Sequence, residues 1–273
     1  MLNDLPTIGA ALTVPDLETL APWIIEGQRD VELQDFIAIE MLDGDWNPVV
    51  RRALDLLDGH EGRLGIHGPF WGFSIDCPDP EIRAVIQRRL DQGLDICAAL
   101  GATHMVVHSP FSTWDYNNLD KDETARERQM VNIHLTLNAA VRRAESLGVV
   151  LAIENIEDKN PLDRVALARS FNSKAVAVSI DTGHAHYAHG TTGAPPVDYF
   201  VRAAGDLLAH VHIQDADGYA DRHWPPGEGT INWKSVFRAL RESPSNPRLV
   251  LELADNSRLR EAGDWLIEQG LAR

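Results

Sequence analysis

Short β-rich apolar runs alternate with longer stretches of helical period from one end of the chain to the other. The runs read as strands are Thr7–Thr13, Val31–Phe36, Arg63–His67, Thr103–His108, Val149–Glu154, Ala175–Asp181, Ala209–Gln214 and Arg248–Leu253. Between them, Ile82, Ile86, Leu90, Leu94 and Cys97 recur at helical spacing, as do Ile133, Leu137, Val141 and Ala144. Asp79-Pro80 and Asp122 supply helix-start chemistry, and Gly101 and Gly148 stand where those helices should stop. Strands that alternate with helices pair in parallel through right-handed crossovers. Eight such units, with no composition break between them, predict one (β/α)8 TIM barrel spanning residues 1–273 as a single domain. An open doubly wound sheet is the competing architecture, but no glycine-rich phosphate loop follows the first strand.

The polar residues that interrupt this pattern fall at strand ends. His67 closes the third strand in Gly-Ile-His-Gly-Pro-Phe, His108 the fourth, Glu154 the fifth and Asp181 the sixth. His212 lies on the seventh in His-Val-His-Ile-Gln-Asp, and Glu252 near the end of the eighth. The seventh loop adds Asp221-Arg222-His223. In a barrel, the carboxyl ends of the strands form the catalytic face, so six successive strands aim a His, Asp or Glu at one mouth. Singly, each has an ordinary explanation as a rim residue, a core residue or a helix cap. Jointly, converging carboxylates and imidazoles leave costly buried charge unless a cation joins them. Mixed His and carboxylate sets suit Zn²⁺, Mn²⁺ or a related divalent ion.

The other histidines read as structural: His60 and His134 on helices, His186 and His189 in a loop, and His104 and His210 deeper in their strands, packing or orienting ligands by hydrogen bonds. Trp71, Trp114, Tyr116 and Trp224 follow the candidate ligands closely, as walls for a sugar-sized pocket or as rim packing. Arg222 is a candidate contact for a phosphate or carboxylate, with an exposed, solvated loop arginine as the plainer reading.

The formal charge of −16, from 41 acidic against 25 basic residues, disfavours a nucleic-acid partner, whose phosphates require lysine and arginine. No apolar run is long enough to span a membrane, and the first residues lack the basic and apolar regions of a secretory signal. Two cysteines, Cys77 and Cys97, cannot build a disulfide framework, and the expected location is cytoplasmic.

On these motifs the sequence resembles the xylose isomerase-like barrel superfamily, which includes endonuclease IV (AP endonuclease family 2) and many sugar isomerases and epimerases. The resemblance runs from about the third strand to the end of the chain. Glu154, Asp181, His212 and Glu252 match the four-ligand metal site of the ketose 3-epimerase branch, where the two glutamates also shuttle the proton. His67, His108, Glu154, Asp181, His184, His212, Asp221, His223 and Glu252 together match the nine ligands of the trinuclear zinc site of endonuclease IV. The chain departs from that nuclease after His67, where Phe70 and Phe73 stand near the places of its Tyr and Asn, and the DNA-inserting loops are not recognisable.

Two activities follow as expectations. The first is isomerisation or epimerisation of a small sugar or sugar phosphate, with Glu154 and Glu252 as catalytic residues that move a proton while a divalent ion stabilises the enediolate. The second is an endonuclease IV-like multinuclear zinc phosphoesterase, or another metal-dependent lyase or hydrolase of the superfamily. It is supported by His184, Asp221 and His223, which a one-metal isomerase does not need. A degenerate barrel that only binds a sugar or a protein is the non-enzymatic alternative. Between one and three ions are expected. At least two are favoured, because His67 and His108 stand on the strands leading to Glu154, and His184 lies near Asp221 and His223. The expected partner is a small carbohydrate, with an oligomer possible.

Overall fold

In the computed structural model, which describes residues 5–273, eight parallel strands close into a barrel in sequence order. They are β1 (Gly9–Leu12), β2 (Val31–Leu33), β3 (Leu64–His67), β4 (His104–His108), β5 (Val150–Glu154), β6 (Val176–Asp181), β7 (Leu208–Ile213) and β8 (Arg248–Leu251). Closure is made by β1 and β8, with Gly9 opposite Val250 and Ala10 opposite Leu251. Every expected strand is present; seven are trimmed at their ends, and the seventh in order starts one residue earlier than expected, at Leu208. The largest change is in β2. It stops at Leu33, and Asp35–Ile37 forms a 3-10 turn in which Asp35 accepts a hydrogen bond from Val14 N–H. Glu252 stands one residue past β8, although its N–H still donates to Ile213 O.

Helices cover the outside of the barrel. The helix Pro80–Leu100 buries Ile86, Leu90, Leu94 and Cys97 but leaves Ile82 exposed. Asp79 caps it, accepting from the N–H groups of Glu81 and Ile82. The helix Ala125–Leu147 starts later than Asp122 implied, because Asp122 accepts from the N–H and hydroxyl of Thr124 instead of capping the first turn. Two histidine assignments are corrected. His60 lies beyond the helix Asn47–Leu56, bonded to Arg29 O at 2.7 Å. His186 and His189 belong to the helix Thr182–Thr192, which Asp181 caps directly as the sixth strand ends, leaving no loop for them. His134 lies on its helix as expected, stacked on Phe171.

The inside of the barrel is polar at mid-depth. Glu32, Ser179, His210 and Arg248 are all buried. Gly65 makes room for Arg248: a Cβ there would stand 2.4 Å from Nη1 of the guanidinium. Among the described residues no helix is long and apolar enough to cross a membrane. Cys77 and Cys97 are unpaired, and burial pushes the Cys97 thiol up to about 12, leaving it inert as a nucleophile.

Gly148 ends its helix with φ +69°, and a Cβ there would meet nothing within 4 Å. Gly148→Ala is therefore expected to cost about 1–2 kcal/mol through backbone conformation alone. The check is a lowered midpoint in urea unfolding with an unchanged slope.

Candidate metal centre

The strand register brings the chemistry together. His108 is level with Glu154 across the β4–β5 pair, and Asp181 with His212 across β6–β7. At the mouth, Glu154, Asp181, His212 and Glu252 present ligand atoms all within 4.8 Å of one another. His212 Nδ1 is 3.1 Å from Glu154 Oε1 and 3.3 Å from Glu252 Oε2. Three further groups adjoin this one: His67 with His108 and Glu154, His184 with Asp221 and His223, and, deeper in the barrel, Glu32 with His210 and His212. The nine residues singled out as ligands from the sequence thus form three contiguous clusters.

The imidazoles are held in defined orientations. His67 Nδ1 donates to Gly68 O at 2.8 Å, and His184 Nδ1 to Asn155 O at 2.9 Å. His223 Nδ1 lies 3.3 Å from Glu252 O. A backbone carbonyl only accepts, so these bonds place the proton on Nδ1 and leave Nε2 of each ring to face the clusters. There, His67 Nε2 is 3.3 Å from His108 Nε2, while His184 and His223 turn Nε2 toward Asp221 Oδ2 at 3.2 and 3.1 Å. His212 is the reverse case, with Nδ1 in the cluster and Nε2 on Glu32.

Electrostatics make the centre a charge-dense site. Burial works against ionisation of Glu154, yet the neighbouring His212, His184 and His108 hold its carboxyl well below the usual range. Burial opposes a charge on His212 too, and Glu252, Glu32 and Glu154 outweigh it, holding the imidazole well above its ordinary value. Burial pushes Asp181 up to about 6 and His108 down to about 3. Despite this crowding, Glu154 Oε2 and Asp181 Oδ2 are buried with no hydrogen-bond partner. Stranded carboxylate oxygens beside convergent imidazole nitrogens are what a divalent cation satisfies in place of the ring protons, so the donor set fits one.

The loop after β7 carries the third cluster and is built around Asp215. Its backbone pairs with Trp224 in both directions, at 2.7 and 3.1 Å. Its carboxylate accepts from the N–H groups of Ala216, Gly227 and Ile231 and from the Trp233 indole. Midway along the loop His223 has φ +50°, a left-handed conformation unfavourable for a histidine and held here by its surroundings.

The aromatic and arginine expectations separate. Trp71, 58% exposed, packs at a tilt against Phe70, which in turn stacks on His108 with ring centroids 4.0 Å apart, so it borders the site. Trp114, 74% exposed, lines a surface hollow with Asp76, Asn118 and Arg128 and joins none of the clusters. Tyr116 packs under Arg126 beside Phe111. Arg222 pairs with Asp217 at 2.8 Å and lies over Trp224, an arrangement internal to the loop.

Several contributors escaped the sequence reading. Gln34 donates to Glu252 Oε1 at 2.5 Å. Asn155 clasps the Asp181 backbone on both sides. Gln214 donates to Asp181 and Asp221 and accepts from His223 N–H. Gln214 follows His212 by two residues and so shares its face, a signal present in the sequence. Gln34 lies outside any strand, and only the tertiary fold brings it to Glu252.

Residues 31–269 match the family described as xylose isomerase-like TIM barrel. The chain belongs to that family. A structure of the TTHB071 protein from Thermus thermophilus, soaked with zinc chloride, is 26% identical, with a TM-score of 0.74 and 97% of each chain covered. The structure of a D-tagatose 3-epimerase-like protein superposes with a TM-score of 0.75 at 20% identity, over 96% of each chain. MJ1311 of Methanocaldococcus jannaschii is 23% identical over 221 residues, 78% of this chain and 71% of that protein. The family match begins at residue 31, the start of β2, one strand earlier than the motifs in the sequence.

Asp215→Ala would strand the buried Trp233 indole N–H and three backbone N–H groups. At about 1–3 kcal/mol for each donor left unpaired and dry, the expected loss is about 3 kcal/mol or more. Asp215→Asn should recover part of it. Urea unfolding of both variants checks the order.

Proposed function

We propose that this protein is a divalent-metal-dependent isomerase or epimerase of a small sugar or sugar derivative. The observation that carries the reading is the placement of Glu154 and Glu252, which approach His212 Nδ1 from strands on different sides of the mouth. Glu154, Asp181, His212 and Glu252 would hold the ion. When bound, a divalent ion supplies positive charge that stabilises the negative charge developing on a substrate oxygen.

The residues of the chain do the rest. One glutamate takes the proton from a carbon next to a carbonyl, and the other delivers a proton to that carbon from the opposite face, or to its neighbour. Return to the opposite face gives an epimer. Return to the neighbouring carbon, with a hydroxyl proton transferred, gives the aldose–ketose pair. Gln34 holds Glu252 in place through this exchange, and Phe70 with Trp71 forms an apolar margin to the site. The likeness to a D-tagatose 3-epimerase-like fold accords with this reading.

A second reading has its own support. The His67–His108–Glu154 and His184–Asp221–His223 groups exceed what proton transfer needs, and three adjoining groups suit a multinuclear zinc phosphoesterase. The charge of −16 weighs against a nucleic-acid substrate for it.

The deciding experiment incubates metal-loaded protein in D2O with a panel of ketoses, aldoses and their phosphates and follows deuterium at carbon by NMR. Incorporation is expected with at least one sugar, and Glu154→Gln or Glu252→Gln should slow it by about 10²–10⁴-fold. No incorporation across the panel, together with chelator-sensitive cleavage of an abasic-site duplex, would put the phosphoesterase first.

Metal stoichiometry gives an independent check. Protein purified without added metal and then saturated with Zn²⁺ is expected to hold at least two ions per chain. His223→Ala should lose about one equivalent while the ion at Glu154 and Glu252 remains. One ion per chain in the wild type, unchanged in that variant, would leave a single-ion site.

A further inference from the structure

We propose that Glu32 is a positioning residue for the metal centre: its carboxylate holds the His212 ring with Nδ1 turned into the Glu154–Asp181–Glu252 cluster and strengthens that nitrogen as a donor. The inference rests on the metal reading above and concerns a residue outside the ligand set. Glu32 sits in the middle of β2 with 0% exposure, between the apolar Val31 and Leu33. A carboxylate there is costly unless a partner repays the lost hydration.

Its neighbours leave one such partner. Oε1 is 2.8 Å from His212 Nε2, in hydrogen-bond geometry. Oε2 is 3.0 Å from His210 Nε2, but the two are out of line, and both atoms lack a hydrogen-bond partner. His210 itself is held through Nδ1, 3.0 Å from Ser179 Oγ. Arg248, the remaining buried charge nearby, gives its Nη2 hydrogen bond to Val31 O and none to Glu32. Glu32 therefore makes its one aligned side-chain hydrogen bond to His212.

The contrast with the other imidazoles gives that bond its meaning. His67, His184 and His223 are each oriented by a neutral backbone carbonyl acting on Nδ1. Of these four, His212 is the one held from outside the ligand set by a carboxylate, and through its other nitrogen. A carboxylate accepting from the far N–H fixes the tautomer and raises the basicity of the nitrogen that faces the ion.

The test compares wild type, Glu32→Gln and Glu32→Asp, each titrated with Zn²⁺ against a chromophoric chelator, alongside ¹⁵N-histidine NMR of the Zn²⁺-loaded wild type. In the wild-type spectrum His212 should carry its proton on Nε2, with the ion on Nδ1. Glu32→Gln should bind the tightest ion about 10–100-fold more weakly, with its metal-free circular dichroism unchanged, and Glu32→Asp should regain part of the loss. Wild-type protein that binds no Zn²⁺ overturns the metal reading itself. Wild type that binds tightly overturns only the role of Glu32 in either of two outcomes: Glu32→Gln binds equally well, or the wild-type spectrum shows no proton on His212 Nε2. The spectrum decides the matter even if the variants do not fold.

Discussion

Everything at the mouth of this barrel answers to one constraint: three buried carboxylates, from Glu154, Asp181 and Glu252, crowd together with little water to screen them, and Asp221 adds a fourth at the rim. At separations of a few ångströms in a poorly polarisable interior, like charges repel by several kcal/mol, so the cluster persists only with compensating positive charge. The imidazoles of His184, His212 and His223 supply some of it. Against the cost of burial, Glu252, Glu32 and Glu154 around His212, and Asp181, Asp221 and Glu154 around His184, hold both imidazoles well above their ordinary proton affinity. Oε2 of Glu154 and Oδ2 of Asp181 are left without a hydrogen-bond partner in this balance.

The next layer inward keeps that assembly rigid. Asn155, Gln214 and Gln34 donate or accept at fixed points on Asp181, Asp221, His223 and Glu252, so the carboxylates are oriented from behind and keep oxygens free toward the mouth. Backbone carbonyls do the same for three histidines. Deeper still, Glu32, His210, Ser179 and Arg248 replace the branched apolar side chains that would fill an ordinary barrel interior. The barrel gives up hydrophobic burial at its centre and gains a polar scaffold continuous with the site.

The β7 loop shows the same logic outside the barrel. Asp215 gathers three backbone N–H groups and the Trp233 indole, and Asp217 pairs with Arg222. The result is a folded-back segment that presents Asp221 and His223 opposite His184. The left-handed backbone at His223 is tolerated because the loop is fixed on both sides of it.

The amino-acid sequence by itself determined the architecture, because the alternation of apolar runs and helical periods admits few topologies. It also determined which strand ends carry His, Asp and Glu, since period two along a strand assigns side chains to faces. It could not separate Trp71, which reaches the site through Phe70, from Trp114, which does not, because both are aromatic residues shortly after a strand. Nor could it show that Arg222 is committed to Asp217, or that Glu32 and Gln34, on the second strand and just past its end, support His212 and Glu252. The last two contacts join residues 180 and 218 positions apart. They exist only once the barrel closes β1 against β8 and sets the register around the ring, and no local pattern encodes that distance.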